Sequence, residues 1–520
     1  MTPMLVETVK GDTTMAMLLS TLLQGAKYRV IAGSVSKRVS SVEYDSRKIG
    51  NAGLFVAIKG FTSDGHDFIK TALSSGAACI VADKNRDILE DSELIALAQE
   101  FDATVVTAED TRKAIAVLSA NFFEHPEDRL DLVGVTGTKG KTTVTFMLHE
   151  ILKRDDHGTG LIGTVCNLVG EEKRKASHTT PESHEVYEFL EELARKNFDS
   201  CVMEVSSQGL KLDRVYGLKF DIGCFTNLYE DHIAPNEHPD MEDYFNCKLK
   251  IFDSSAIGVV NSDCDVADRV IEYASSRCRI YTYGLTSDSD CYATDIKTVR
   301  KGSVTGTEFN VVSPWYEGPM FVALAGKFNV YNALCAICVA GILKVDYSKV
   351  KEALATLKVP GRLQPVENEM GVNILVDYAH NAASLENVLE TLREYTPGRV
   401  ITVFGCGGNR SVTRRFEMGE VSGKLSDYTI ITSDNPRKEE PEAIIKDIVT
   451  GMNRTSGKYE TVIDRKSAIF KAVDMAEEGD TVLIAGKGHE DYQIFADKTI
   501  FFDDAITAAE AVKETEGRRK

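Results

Sequence analysis

Residues 132–148 read LVGVTGTKGKTTVTFML. An apolar run, 132–136, enters the turn Gly137-Thr138-Lys139-Gly140, and a helix-forming segment opens on Lys141-Thr142-Thr143. A strand, a Gly-rich turn and a helix in that order point backbone N–H groups and the positive end of the helix at one spot, which is how phosphate oxygens are cradled. Lys141 is placed to reach the β- and γ-phosphates, and the Thr142 hydroxyl to ligate Mg²⁺. The stricter pattern G-x-x-x-x-G-K-[ST] asks for glycine at 135, where this chain has Val135. A plain strand-to-helix turn with an exposed lysine is the structural alternative; the flanking strand and helix favour nucleotide binding.

Working outward, short apolar runs alternate with amphipathic stretches. They include 130–136, 159–165, 200–205 and 257–261, then 374–379, 399–405, 428–432 and 481–486. Such alternation predicts mainly parallel sheets covered on both faces. Two Pro-containing breaks, EHPEDR (124–129) and KVPGR (358–362), divide the chain. We expect three α/β domains: a smaller N-terminal one (1–128), a central P-loop ATPase-type parallel-sheet domain (129–358) and a C-terminal Rossmann-like domain (359–520). In such sheets ligands sit beyond the carboxyl ends of the strands, so the residues just after each run are the candidate site residues.

Composition narrows the function. The 520 residues are 43% hydrophobic and 27% charged, ordinary for a globular protein. A net charge of −19 argues against a nucleic-acid partner, whose phosphates need a basic face. The longest apolar run, 333–343, is too short to span a bilayer, and the first residues lack a signal-peptide pattern. Eleven scattered cysteines suggest free thiols and a cytoplasmic location. Cys335 and Cys338 form a C-x-x-C within an apolar helical pattern, with no second ligand pair nearby, and are expected in the core.

Two strand ends carry candidate metal and acid chemistry. Glu204 closes the run 200–205, where a carboxylate either holds Mg²⁺ beside the phosphate loop or is simply paired. The segment 226–253 combines Asp231-His232 with an acidic helix ending in Lys248 and Lys250, a set whose spacing alone fits a structural role as well as a site. Zinc is not expected, since no Cys/His set has ligand spacing, and oxygen-ligated Mg²⁺ suits a phosphate site better.

Together these segments resemble the Mur ligase family, and within it the members that add the third amino acid to UDP-N-acetylmuramoyl-L-Ala-D-Glu. The resemblance runs over essentially the whole chain. It rests on YDSRKIGNAGLFVAIKGFTSDGHDF (44–68), GVTGTKGKTT (134–143), HTTPES (178–183), EVSSQGL (204–210), GKFNVYNALCA (326–336), VPGRLQPVE (359–367), VDYAHNAASLENVL (376–389), VFGCGGNR (403–410), DNPRKEEP (434–441) and IAGKGHEDYQI (484–494). The family's shortened loop, TGTxGKT, accounts for Val135. The resemblance implies ATP-dependent phosphorylation of the D-Glu γ-carboxylate to an acyl phosphate, followed by attack of a diamino-acid amine. It implies small-molecule substrates, a monomer, and no membrane partner.

Residue by residue, the resemblance implies ATP contacts at Gly137, Thr138, Lys139, Gly140, Lys141, Thr142, Thr143, Asn329, Arg362 and Asp377. One Mg²⁺ falls to Thr142 and Glu204, and a second to Glu204, His232 and Lys248 as a carbamate, since an ammonium cannot ligate a cation. The loop after His232 is about two residues longer than the family pattern. The N-terminal domain is implied to bind uridine, with Tyr44 and Ser46 in the uridine segment, and Thr179, Thr180, Ser206 and Arg214 match muramoyl-dipeptide positions. His178 and Leu212 depart from the family residues there. For the incoming amino acid the implied set is Arg410, Asp434, Asn435, Pro436, Arg437, Gly486 and Glu490. Arginine at 437 looks like the meso-diaminopimelate-adding form, because a guanidinium holds a distal carboxylate by charge-assisted bonds and repels the ammonium of lysine. L-Lysine, a folylpolyglutamate-type ligation and a non-catalytic nucleotide-binding scaffold are the alternatives.

Overall fold

A computed structural model of the protein describes residues 16–61, 63–86, 90–231, 233–234, 237–301 and 304–519. The chain divides into two compact units, 1–145 with 156–282, and 146–155 with 283–520.

Among its described residues, the first unit contains two larger sheets and the short antiparallel pair Met17–Leu18 with Arg38–Val39. The N-terminal one has five strands in the order Tyr28–Ala32, Thr104–Ala108, Ala77–Asp83, Gly53–Val56, Ser41–Glu43. The first pair is antiparallel and the rest are parallel. Period-2 alternation explains their continuous apolar character: Leu54, Val56, Cys79 and Val81 fill the core on one face, and Phe55, Ala57, Ile80 and Ala82 the core on the other. The second sheet has a parallel stretch in the order Thr159–Ile162, Ser200–Glu204, Asp131–Thr136, Phe220–Phe225, Ser255–Asn261.

Asp131–Thr136 comes first in sequence, and later strands go to both sides of it. It is therefore the point where strand order reverses, and the turn at its carboxyl end opens into the crevice where such sheets bind ligands. The register pairs Glu204 with Val135, so the carboxylate emerges beside the phosphate loop.

In the second unit, strands Cys291–Lys301, Val304–Val312 and Glu317–Val322 form an antiparallel meander, which the sequence reading of a mainly parallel central sheet did not anticipate. Residues such as Lys297 and Arg300 make these strands half-solvated and alternating rather than uniformly apolar. The helix Lys327–Ile342 is buried along most of its length, and Cys335 and Cys338 lie in the core as expected.

The last sheet runs Gln364–Val366, Asn373–Asp377, Thr481–Ala485, Val400–Phe404, Tyr428–Ile431, Tyr459–Thr461, parallel except for its first pair. Apolar clusters cover both faces. Three adjacent strands end at Ala485, Phe404 and Ile431, so the segments 405–410, 432–437 and 486–490 gather at one edge. No helix among the described residues is long and apolar enough to cross a membrane.

Candidate active site

The phosphate turn is built as its sequence suggests. Gly137 has φ +140°, and a Cβ there would lie 2.0 Å from Thr226 Oγ1, so only glycine lets the turn close against the neighbouring strand end. Thr138 N donates to Asn227 O at 2.9 Å and Lys139 N to Asn227 Oδ1 at 2.8 Å. Thr226 Oγ1 donates to Lys139 O at 2.7 Å. Lys141 opens the helix Lys141–Arg154, and its Nζ donates to Gly137 O at 2.8 Å and Thr138 O at 3.1 Å. Gly140 and Thr143 complete the turn and the first helical residues.

Glu204 faces this turn. The Thr142 hydroxyl donates to both carboxylate oxygens at 3.1 Å. Thr164 adds its N–H to Oε1 at 2.8 Å and its hydroxyl to Oε2 at 3.0 Å. The carboxylate is buried, and every hydrogen bond it accepts among the described residues comes from a neutral donor. A buried carboxylate next to a threonine hydroxyl and a phosphate cradle, lacking a cationic side chain of its own, fits a hard divalent cation such as Mg²⁺.

Lys248 lies on the other side of the turn. It is 1% exposed, donates to Gly137 O at 2.8 Å and sits 4.3 Å from the Tyr244 ring centroid. Burial, reinforced by the charge of Lys141, holds its pKa well below the ordinary lysine range. A neutral amine is the form that reacts with CO₂, so this environment fits a carbamate at Lys248. Lys139 Nζ pairs with Asp231 Oδ2 at 3.0 Å. His232, expected as a metal ligand, lies outside the described residues.

This region holds a second histidine. His238 is buried and bonds through Nδ1 to Asp243 Oδ2 at 2.6 Å and through Nε2 to Ser207 Oγ at 3.0 Å. Lys211 Nζ bonds the same Asp243 oxygen at 2.8 Å. This chain ties the segment after His232 to the helix Ser207–Lys211; in the sequence it was indistinguishable from any loop histidine.

The expected nucleotide-sugar residues join through side chains. Thr164 Oγ1 and Thr179 Oγ1 are 3.0 Å apart. Thr180 Oγ1 bonds Glu204 O at 2.9 Å and Ser206 Oγ at 3.1 Å. Arg214 reaches Thr180 O at 2.9 Å and Glu182 Oε1 at 3.0 Å, and Arg112 holds the other Glu182 oxygen at 3.0 Å. Tyr44 donates to Glu185 at 3.0 Å, and Ser46 is buried nearby in sequence. Glu182, Glu185 and Arg112 were not singled out in the sequence, although Glu182 stands within the HTTPES motif.

In the second unit, Asn329 donates to Ala325 O at 2.8 Å and accepts from Asn332. Asp377 is buried, accepts from Leu363 N and Ala379 N at 2.8 Å each, and has its pKa raised by burial against the pull of Arg362. The Arg362 guanidinium stacks over Tyr378, 4.8 Å from the ring centroid.

The amino-acid segments form one cluster. Asn435 Nδ2 donates to Glu490 Oε2 at 2.9 Å. Lys487, fully buried and passed over in the sequence, places Nζ 3.0 Å from Glu490 Oε2, 3.3 Å from Asn435 Oδ1 and 4.0 Å from Asp434 Oδ1. A Cβ on Gly486 would sit 3.0 Å from Asp434 Oδ2. Arg437 adopts φ +55°, rare for a non-glycine residue. Its N–H bonds Ile494 O at 3.0 Å and its Nη1 bonds Gly408 O at 3.0 Å. Pro436 O and the Arg410 stem flank the glycines of the 405–410 turn, Arg410 itself being exposed.

Comparisons with known proteins agree across the chain. Three family models match: Mur ligase family, catalytic domain, over 38–123; Mur ligase middle domain over 135–340; and Mur ligase, glutamate ligase domain, over 361–488. A Clostridium acetobutylicum UDP-N-acetylmuramoyl-L-alanyl-D-glutamate–2,6-diaminopimelate ligase is 42% identical over 501 residues, covering 96% of this chain and 100% of the relative. The Clostridium perfringens protein of the same name is 41% identical, covering 94% of this chain and 98% of the relative. A solved structure of a ligase with that name superposes with a TM-score of 0.69 at 27% identity, over 96% of this chain and 100% of that one. The MurF ligase of Thermotoga maritima, solved with ADP, shares the fold with a TM-score of 0.60 at 20% identity, over 92% of this chain and 98% of that one.

Proposed function

The chain belongs to the Mur ligase family, and we propose that it joins meso-diaminopimelate to UDP-N-acetylmuramoyl-L-Ala-D-Glu at the expense of ATP, in the synthesis of peptidoglycan precursors. The observation that carries this reading is the full-length likeness to ligases of that name, joined to a phosphate turn with a buried carboxylate 3.1 Å from its threonine hydroxyl.

The D-Glu γ-carboxylate attacks the γ-phosphorus of ATP, ADP leaves, and an acyl phosphate forms. The diaminopimelate amine then attacks the acyl carbon and phosphate departs with the bonding electrons, leaving an amide and a released proton. Such chemistry asks for positioning and charge neutralisation more than covalent help. The turn 137–140 holds phosphate oxygens through its N–H groups, with Lys141 adding a positive charge and Thr143 continuing the helix start. Thr142 and Glu204 would hold one Mg²⁺, and Glu204, His232 and a carbamylated Lys248 a second. The bound metal would screen the repulsion between carboxylate and triphosphate. Asn329, Arg362 and Asp377 are proposed as further ATP contacts.

Tyr44 and Ser46 would meet the uridine, and Thr179, Thr180, Ser206 and Arg214 the muramoyl dipeptide. Arg437 and Arg410 would take the distal carboxylate of diaminopimelate, and Glu490, with Asp434 and Asn435, its distal ammonium, against the backbone of Pro436 and Gly486. The segments 1–128, 129–358 and 359–520 would carry nucleotide-sugar, ATP and amino-acid recognition in turn. The location would be cytoplasmic and the protein a monomer.

Phosphate release with ATP and UDP-N-acetylmuramoyl-L-Ala-D-Glu, comparing meso-diaminopimelate with L-lysine, tests the reading. Turnover driven by diaminopimelate alone supports it. Equal or better turnover with lysine overturns the diaminopimelate assignment, and no turnover with any diamino acid overturns the reaction.

A further inference from the structure

Behind the amino-acid cluster lies an ion pair with no exposed side-chain surface, Arg465 with Asp504. Arg465 opens the helix Arg465–Met475 and Asp504 opens Asp504–Arg519. The pairing is bidentate: Nε donates to Asp504 Oδ1 at 2.8 Å and Nη2 to Oδ2 at 2.7 Å. The same guanidinium also reaches backbone on the ligand side. Nη2 donates to Ala485 O at 2.9 Å and Nη1 to Ser433 O at 3.5 Å. Ala485 immediately precedes Gly486, and Ser433 immediately precedes Asp434. One rigid, planar donor set therefore spans the carbonyls at the entrances of both turns.

Stability alone does not explain a charge here. A buried ion pair often contributes no more than an apolar replacement of similar volume, and Ala468, Ile469, Ala508 and Val512 of the same two helices already pack as an apolar core. An apolar residue cannot hold two main-chain carbonyls at a fixed separation, whereas a guanidinium does so with donors in a fixed fork. That separation sets how Asp434 and Asn435 on one turn face Lys487 and Glu490 on the other.

We propose that Arg465, oriented by Asp504, is a positioning residue for diamino-acid binding: it fixes the spacing of the 434–437 and 486–490 turns, and so the geometry that receives the substrate's distal ammonium. This rests on the reading under Proposed function.

Two variants test it. Arg465→Lys keeps the charge beside Asp504 and loses the fork. The double variant Arg465→Met/Asp504→Leu removes both charges, so no lone buried ion destabilises the fold. Initial rates of phosphate release should show KM for diaminopimelate raised by about tenfold or more in both, since misplacing binding groups by an ångström costs up to about a hundredfold. KM for ATP should stay within about twofold. Amide hydrogen exchange, read without substrate, should quicken over 432–437 and 485–490 and not over 374–377.

Unchanged KM for diaminopimelate with unchanged exchange overturns the proposal, as do KM values that rise equally for all substrates. If the double variant fails to accumulate, Arg465→Lys decides by the same criteria. Lack of diaminopimelate-dependent turnover in the parent would count against the proposed function instead, and the exchange measurement would still judge the positioning role.

Discussion

Replacing Lys248 with methionine should leave a protein at least as stable as the parent and nearly inactive. The residue is 1% exposed, and the amine's one hydrogen bond among the described residues, to Gly137 O at 2.8 Å, goes to an acceptor that keeps Lys141 Nζ, also at 2.8 Å. Burial, followed by repulsion from Lys141, depresses its pKa well below 10.5. Each unit of depression represents about 1.4 kcal/mol withheld from folding while the unfolded lysine remains charged. Between the depressed value and 10.5 the unfolded chain binds more protons than the folded one, so the stability of the parent rises with pH across that window.

Methionine nearly preserves the stem and removes this cost, at the loss of one neutral hydrogen bond of about 1 kcal/mol. The net gain should be about 1–3 kcal/mol at neutral pH, comparable to other replacements of buried charges by apolar groups. It should shrink as the pH approaches 10.5. Chemical denaturation of parent and variant in CO₂-free, chelator-containing buffer measures it. Turnover should fall by about a hundredfold or more, the scale of losing a metal-site group. In Lys248→Ala, formate or acetate should restore part of the activity by supplying carboxylate oxygens to the vacated space. A methionine variant within tenfold of parental turnover, or one destabilised by more than about 1 kcal/mol, would refute the reasoning.

Arg437→Asn keeps a residue that tolerates the φ of +55° and removes the guanidinium. Loss of a charge-assisted contact of about 2–3 kcal/mol should raise KM for diaminopimelate about 30- to 150-fold, leaving KM for ATP unchanged in the phosphate-release assay. Gly361→Ala should lower the unfolding free energy by at least about 2 kcal/mol, because φ is +65° and the new Cβ would lie 2.3 Å from His489 N; an unchanged denaturation midpoint refutes it. Glu43 has its pKa pushed up to about 7 by burial, with Lys48 opposing and Glu188, Asp45 and Glu185 adding to the rise. The folded state therefore holds this proton more tightly, and parental stability falls as pH rises from 4.5 to 7. Glu43→Gln should melt like the parent near pH 4 and above it beyond pH 7, as thermal scans across that range will show.

The phosphate turn was legible because its chemistry is local: one strand, one glycine turn and one helix start carry it. The residues at the other strand ends were legible for a related reason, since a parallel sheet brings them to one edge whatever their separation in sequence. Glu204 beside Val135 is a consequence of register, and Asp434 beside Gly486 of two strands ending on either side of a third. The antiparallel strands of 291–322 escaped because charged residues break their apolar character. His238, Glu182 and Lys487 escaped for a different reason. Each also bonds a partner about thirty or more residues away, and no periodicity encodes such a partner. Arg465 and Asp504 are the extreme case, two ordinary charged residues at helix starts whose shared burial exists only in three dimensions.

The amino-acid cluster shows why the sequence hinted at specificity through arginine alone. Among the described residues, Lys487 Nζ faces both Asp434 and Glu490, two carboxylates to one ammonium, an arrangement that on the proposed reading takes a further cation from the ligand. Every diamino acid supplies an ammonium for that, so under the proposed function this part of the site would select an amine without telling diaminopimelate from lysine. Arg437 and Arg410 add positive charge beside the 405–410 turn. A ligand bearing a second carboxylate neutralises them, whereas lysine leaves them unmatched and adds its own positive charge. On the proposed reading, discrimination would reside in the pairing of an amine-selecting interior with a carboxylate-selecting arginine turn. Removing the arginine should relax selectivity, whereas removing Glu490 should weaken diaminopimelate and lysine alike.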